Sequence, residues 1–261
     1  MKRCFVVLSL LAAFLFVSAS AQGLPTADEV LKMIGEKTAK IKTMQGDATA
    51  ETKTPNGVMK STGHVVASIT GDDKNVIRKF LMTTKMSMQQ GEKTVTQDMK
   101  TVSNGGEFVW IELKNSMMPD VQVVKVKTSV FRAAQGDAVT PAEQAAQLGK
   151  LFELGAVSED TIDGKKMFVL EGTPKTDNPQ SKQMAAVMSK GRYYVDQKSL
   201  AFRRMVMIDL AGNELIRTDM LNTKFDEPVD PKLFEYTPPE GAKIREMGDP
   251  AAPAPDAPAG Q

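Results

Sequence analysis

Apolar and polar residues alternate along much of the chain, and short turn signals, not long helical stretches, break the alternation. Every second residue from Val76 gives Val76, Arg78, Phe80, Met82, Thr84, Met86 and Met88. The positions between, Ile77, Lys79, Leu81, Thr83, Lys85, Ser87 and Gln89, are mostly polar. A strand with one face on an apolar interior requires this period of two. The same reasoning predicts strands over 45–54 and 58–70, joined at Pro55-Asn56-Gly57, then over 75–89 and 94–103. Asn104-Gly105-Gly106 is a hairpin turn leading into a strand over 108–113. Met117-Met118-Pro119 is expected as an apolar loop, with another strand over 121–127. Further strands are expected over 156–162, 167–172, 191–196, 201–210 and 214–225.

Two stretches change period. Thr26-Ala27-Asp28-Glu29 is a capping box: the Thr hydroxyl accepts from the Glu backbone N–H while the Glu carboxylate reaches back. Val30, Leu31, Ile34 and Ile41 follow at helical spacing, and this helix should end between Lys40 and Met44. Thr140-Pro141-Ala142-Glu143 repeats the box, with Pro at the first helical position and Leu148, Leu151 and Phe152 on the apolar side. A short third helix is expected within 179–190, carrying Met184, Val187 and Met188. About ten strands in succession with two or three helices predict an α+β fold. Short turns imply antiparallel pairing, and a sheet this wide curls. The expected architecture is an unclosed antiparallel β-barrel, a strongly curved sheet, with the helices as a lid over its concave apolar face.

The termini add an address. Met1-Lys2-Arg3, an apolar run over 4–17 and Ser18-Ala19-Ser20-Ala21 form a secretory signal peptide over 1–21, with cleavage expected before Gln22. The run is shorter than the ~20 residues a spanning helix needs. Cys4, the single cysteine, precedes the run, so neither a lipid anchor on a processed cysteine nor a disulfide is expected in the mature chain. Residues 248–261, GDPAAPAPDAPAGQ, hold no large apolar side chain and are expected to be a disordered tail. One binding domain over 22–247 remains. Export, to the periplasm, is the expected localisation.

Composition narrows the chemistry. Loss of Lys2 and Arg3 takes the basic residues from 33 to 31 against 32 acidic ones, a net charge of −1, which gives nucleic acid nothing to attract. One histidine, His64, in a strand-like context, and no mature cysteine leave no multi-histidine or cysteine metal site, so no metal and no cofactor are expected. Neither a phosphate loop nor a nucleophile elbow is present. Asp72 with Asp73, and Asp226 with Asp230, are the conceivable carboxylate pairs, and both lie in turn contexts where Asp is ordinary. A binding protein is expected, not an enzyme. Methionine is abundant at 17, and flexible thioethers suit both irregular cores and surfaces that accept varied apolar partners.

The segment from Glu227 to Ile244, with Phe234-Glu235-Tyr236-Thr237-Pro238-Pro239-Glu240-Gly241 at its centre, resembles the C-terminal signature of the LolA-like outer-membrane lipoprotein carrier family. Tyr194-Val195-Asp196, the stretch from Arg203 to Leu210, Gly212 and Asn222 resemble that family's final strands. The stretch from Thr101 to Trp110 resembles its hairpin before a central Trp. The resemblance covers most of the mature chain and is strongest over its last part. It implies an apolar cavity under a helical lid, and a monomeric periplasmic carrier moving acylated lipoproteins or lipids from an inner-membrane ABC transporter to an outer-membrane receptor. The same barrel occurs in periplasmic lipoprotein-sensing domains that bind a membrane-protein partner, which is the alternative function. Two departures stand out. The family's Arg-Pro pair after the second strand is missing, since that region reads Ser68-Ile69-Thr70-Gly71-Asp72-Asp73-Lys74, and Arg78 does not match it. The 179–190 stretch is an atypical insertion. The candidate cavity wall is Phe80, Met82, Met86, Met88, Trp110, Met205, Met207 and Met220, and the candidate lid contacts are Ile34 and Leu148.

Overall fold

A computed structural model describes residues 23–54, 57–71, 76–90, 93–135 and 140–247. The expected signal peptide over 1–21, the expected tail over 248–261 and the Asp72–Asp73 pair lie outside them.

Both capping boxes form. Thr26 Oγ1 accepts from the Glu29 N–H at 3.3 Å and the Glu29 carboxylate accepts from the Thr26 N–H at 2.7 Å, starting α1 (Ala27–Thr38). Thr140 and Glu143 repeat this at 3.1 and 2.9 Å, starting α3 (Pro141–Leu151). Between them in chain order lies α2 (Thr128–Gln135), and α4 (Pro179–Ala185) is capped by Asn178. The insertion stretch therefore divides: Pro179–Ala185 is the expected helix, and from Met188 the chain already belongs to a strand.

The first six strands are β1 (Thr43–Thr54), β2 (Gly57–Thr70), β3 (Ile77–Gln90), β4 (Lys93–Ser103), β5 (Phe108–Asn115) and β6 (Met118–Lys127). The remainder are β7 (Phe152–Leu154), β8 (Ser158–Ile162), β9 (Lys165–Pro174), β10 (Met188–Asp196), β11 (Phe202–Asp209), β12 (Glu214–Phe225) and β13 (Lys243–Met247). They make one thirteen-stranded sheet in the order β13-β6-β5-β4-β3-β2-β1-β12-β11-β10-β9-β7, with β8 also on β9. The architecture is the expected α+β one, a large unclosed curved sheet with a helical lid. All pairings are antiparallel except β13 with β6, which is parallel. Met118 and Pro119, expected in a loop, begin β6.

The lid lies over the β9–β11 end. Val30 and Ile34 of α1, Ala145 and Leu148 of α3, and Phe152, Leu170, Tyr193 and Val195 form one buried cluster. The rings of Phe152 and Tyr193 meet edge-on at 5.4 Å. Gly191 and Gly172 face each other across β10 and β9 in the same layer. A Cβ on Gly191 would stand 2.9 Å from the Tyr193 ring and 3.2 Å from that of Phe152, so only glycine lets these rings close over the sheet.

The opposite face carries its own cover. After β12 the chain crosses that face as a strap. Asp226 accepts from the Lys42 N–H at 2.8 Å, and Glu227 O accepts from the Thr43 hydroxyl at 2.7 Å, fixing its start beside β1. A 3₁₀ turn at Pro231–Phe234, capped by Asp230, drives Phe234 into a pocket of Val66, Leu81 and Val102, where only 3 % of it stays exposed. The Tyr236 ring lies tilted against Trp110 with centroids 5.6 Å apart, and its hydroxyl donates to Glu112 at 3.0 Å. The strap ends as β13, held to β6 by the Lys243–Asp120 and Lys125–Glu246 pairs at 2.6 and 2.7 Å.

Replacing Gly191 by Ala should lower the stability by about 1–3 kcal/mol through overpacking against two buried rings. Gly155→Ala, whose Cβ would make only an ordinary contact at 3.7 Å, should change it far less. Urea midpoints of the two variants against the parent check this.

Candidate functional site

Directly paired residues on antiparallel strands point to the same face, so the register assigns every candidate wall residue. Phe80 pairs with Ala67, Met82 with Val65, Thr84 with Gly63, Met86 with Ser61 and Met88 with Met59. Gly63 and Ser61 pair in turn with Ala48 and Ala50 of β1, and these with Met220 and Thr218 of β12. Thr218 pairs with Met205 and Ile216 with Met207 on β11, and Met205 with Tyr193 on β10. Phe80, Met82, Met86, Met88, Met205, Met207 and Met220 therefore share one face, the one on which Tyr193 and Leu170 lie beneath the lid.

All seven are partly exposed. The lid contacts differ: Ile34 is 0 % and Leu148 5 % exposed, both inside the lid cluster, with Met205 and Met207 packed at its border. The face thus has a dry part over β9–β11 and an apolar part, over β12 through β3, that is not sealed. Phe80 is met by α2, whose Phe131 stacks on it at 5.6 Å. Small residues, Gly46, Ala48, Ala50 and Gly63, occupy the middle of this face and keep it low. At Gly63 a Cβ would approach the Thr83 carbonyl to 2.8 Å.

Trp110 does not join this wall. It pairs with Val102, which pairs with Leu81, so it points to the strap side and lies there against Tyr236. Phe108-Val109-Trp110-Ile111 is apolar on both faces, so its alternation carries no phase. The residues overlooked on the lid face are Met59, directly opposite Met88, and Met99, opposite Thr84. Both follow from the register that the two hairpin turns impose, once the phase of β3 is known.

Around the lid edge, Arg78 shares the face of Phe80 two residues further on. Its Nε and Nη2 donate to Glu143 Oε1 of α3 at 2.9 and 2.6 Å, tying the sheet to the lid helix. A cleft of about 1010 Å³ begins at this pair and runs between α3 and residues 175–180.

The groups with possible chemical roles sit on the other side. His64 lies exposed on β2, its Nδ1 2.8 Å from Asp47 Oδ1, and Asn222 donates to the second Asp47 oxygen at 3.0 Å. The Asn222 and His64 hydrogen bonds hold the Asp47 carboxyl below its usual range. The pair borders a polar cleft of about 500 Å³ across β1–β5. Asp226 and Asp230 are both spent on backbone N–H groups, one receiving Lys42 and the other capping the 3₁₀ turn. Among the described residues no group of three or more His, Cys, Asp or Glu is placed to hold a metal ion, and no helix is long and apolar enough to cross a membrane.

No family model matches the chain. An uncharacterized protein of Methanocaldococcus jannaschii, MJ0687, is 24% identical over 249 residues, which are 95% of this chain and 62% of that protein. The chain thus spans less than two thirds of the length of this relative. Among solved structures, an uncharacterized conserved protein of Thermus thermophilus aligns over 85% of this chain and 99% of its own, with 12% identity and a TM-score of 0.46. The lipoprotein LppX of Mycobacterium tuberculosis aligns over 78% and 98%, with 15% identity and a TM-score of 0.43. A LolA superfamily protein of Nitrosomonas europaea aligns over 82% and 99%, with 14% identity and a TM-score of 0.29. LolA-like and lipoprotein-related proteins are therefore among the solved structures this chain is similar to.

Because the single Trp stands on the strap side, its emission should report the strap and not the lid face. Phe234→Ala should expose Trp110 and shift its emission to the red, while an apolar ligand on the lid face should leave that emission unchanged. Steady-state fluorescence checks both.

Proposed function

We propose that the chain is a periplasmic carrier that holds acyl chains of lipoproteins or related lipids against the lid face. One observation carries the reading: seven apolar side chains from three strands share one face, and all stay partly exposed although a lid is at hand. Burying the same residues in a filled core would make them as dry as Ile34. A palmitoyl chain laid against them gains ~0.8 kcal/mol per CH₂, on the order of 10 kcal/mol before ordering costs. That is enough to hold a lipid in water. Methionines suit the task, because thioether chains adapt to an irregular, moving tail. The resemblance of the C-terminal segment to LolA-like carriers supports the same reading. A gain of this size also makes spontaneous release slow, so delivery needs a partner that binds the chain better or a lid that closes down on the face. The Arg78–Glu143 bond is the polar fastening such a lid movement would have to break.

Protein purified from its native envelope should yield acyl lipid by organic extraction and mass spectrometry, and stripped protein should bind a fluorescent palmitoyl probe. Met86→Glu and Met205→Glu should each weaken the probe by about tenfold or more, by placing a charge under the hydrocarbon. Met117→Glu, at a residue 66 % exposed, should leave it unchanged. A stripped protein that takes up no probe would refute the reading.

A further inference from the structure

The cleft beside the lid brings charged and polar side chains together with Ala146, Leu151 and Pro179, whereas the face it adjoins is lined by methionines. On α3, Glu143, Gln147 and Lys150 recur at helical spacing and form one stripe along it, while Ala145 and Leu148 turn the other way into the lid cluster. The opposite bank is the 175–180 segment. Lys175 is anchored there by its ammonium, which donates to Gly149 O at 2.7 Å, and by its backbone N–H, which donates to Leu151 O at 2.8 Å. Pro179 and Gln180 on this bank belong to the 179–190 stretch, the insertion in which the chain departs from the LolA-like pattern.

Among the described residues its lining holds three cationic side chains, Arg78, Lys150 and Lys175, and two carboxylates, Glu143 and Asp177, hence one net positive charge. Arg78 and Glu143 are ion-paired. Lys175 meets a carbonyl, and among the described residues neither it nor Lys150 is ion-paired with a carboxylate. Two lysines thus line a roomy cleft without an ion-pair partner among the described residues. The sheet-side end of the cleft is Arg78, which leads on the same face to Phe80 and the methionines. Polar cleft and apolar face meet at that residue.

We propose that this cleft seats the anionic head, a phosphate or a carboxylate, of an amphiphile whose hydrocarbon lies along the lid face. The proposal rests on the acyl-binding reading above and adds the head-group class. Lys150 and Lys175 supply charge-assisted hydrogen bonds to the head, which are shorter and stronger than neutral ones. Arg78, already engaged with Glu143, marks the boundary between head and tail. The volume of about 1010 Å³ accommodates a head group together with its water.

The test uses the full mature chain, stripped of lipid and loaded with a fluorescent palmitoyl probe. Displacement is measured below the micellar range with monopalmitoylglycerol, palmitate and palmitoyl lysophosphatidate, which share a tail and differ in head. The expected result is displacement by at least one anionic ligand at about tenfold lower concentration than the neutral one. The ligand that leads identifies the head as phosphate or carboxylate. Lys150→Met and the double variant with Lys175→Met should shrink the preference stepwise while leaving the neutral ligand unchanged. Equal displacement by all three on the parent protein overturns the head-group proposal and leaves acyl binding standing. A probe that never binds overturns both. The comparison among ligands on the parent protein stands even where a variant folds poorly.

Discussion

A sheet that grows to thirteen strands without closing has two broad faces, and each must be dried, covered or left wet at a cost of roughly 25 cal/mol for every Å² of apolar surface exposed. The rest of the molecule follows from how this chain meets that demand. On one side, α1 and α3 cover the β9–β11 end. Gly191 and Gly172 lower the sheet enough for Phe152 and Tyr193 to pack beneath them. On the other side, the strap from Asp226 to Met247 plugs the middle of the sheet with Phe234, lays Tyr236 against Trp110 and ends as a strand on β6. What neither covers is the apolar stretch of the lid face from β12 to β3, where α2 meets the Phe80 end and the methionines stay partly exposed. An uncovered apolar stretch inside a curved sheet is where an apolar ligand gains most.

The strap also gives the C-terminal sequence signature a physical meaning. Phe234 and Tyr236 stand on the side of the sheet away from the methionines, so the spacing of these aromatics serves the cover of the sheet. The same side holds the Lys125–Glu246 pair and the His64–Asp47–Asn222 group. The two sides are thereby chemically distinct. One is fastened by aromatic plugs and ion pairs, and the other is greasy and fastened to its lid at the edge by Arg78 and Glu143.

Much of this was legible in the sequence where local signals are strong. Both capping boxes start helices within a residue of the expected place, and the β3 alternation assigned Phe80, Met82, Met86 and Met88 to one face correctly. The strands expected over 201–210 and 214–225 are β11 and β12, joined by a turn with Gly212 at a φ of 88° that suits glycine. Signals that depend on distant partners were not legible. β13 is five residues long and pairs in parallel with a strand far away in sequence, so no hairpin turn announces it. α2 follows β6 without a break, and its short apolar stripe around Phe131 gives too few turns to show a helical period. Trp110 was assigned to the methionine face because an unbroken apolar run conceals its phase, and only the register reverses that assignment.

The methionines that define the lid face can report on it directly. With ¹³C-labelled methyl groups, a two-dimensional NMR titration of the stripped chain with a palmitoyl lipid should move the signals of Met82, Met86, Met205, Met207 and Met220 together. The exposed Met117 and Met247 should stay where they are. Saturation that leaves the five lid-face methyls unmoved, or that moves only the exposed pair, contradicts the claim that this face receives the hydrocarbon.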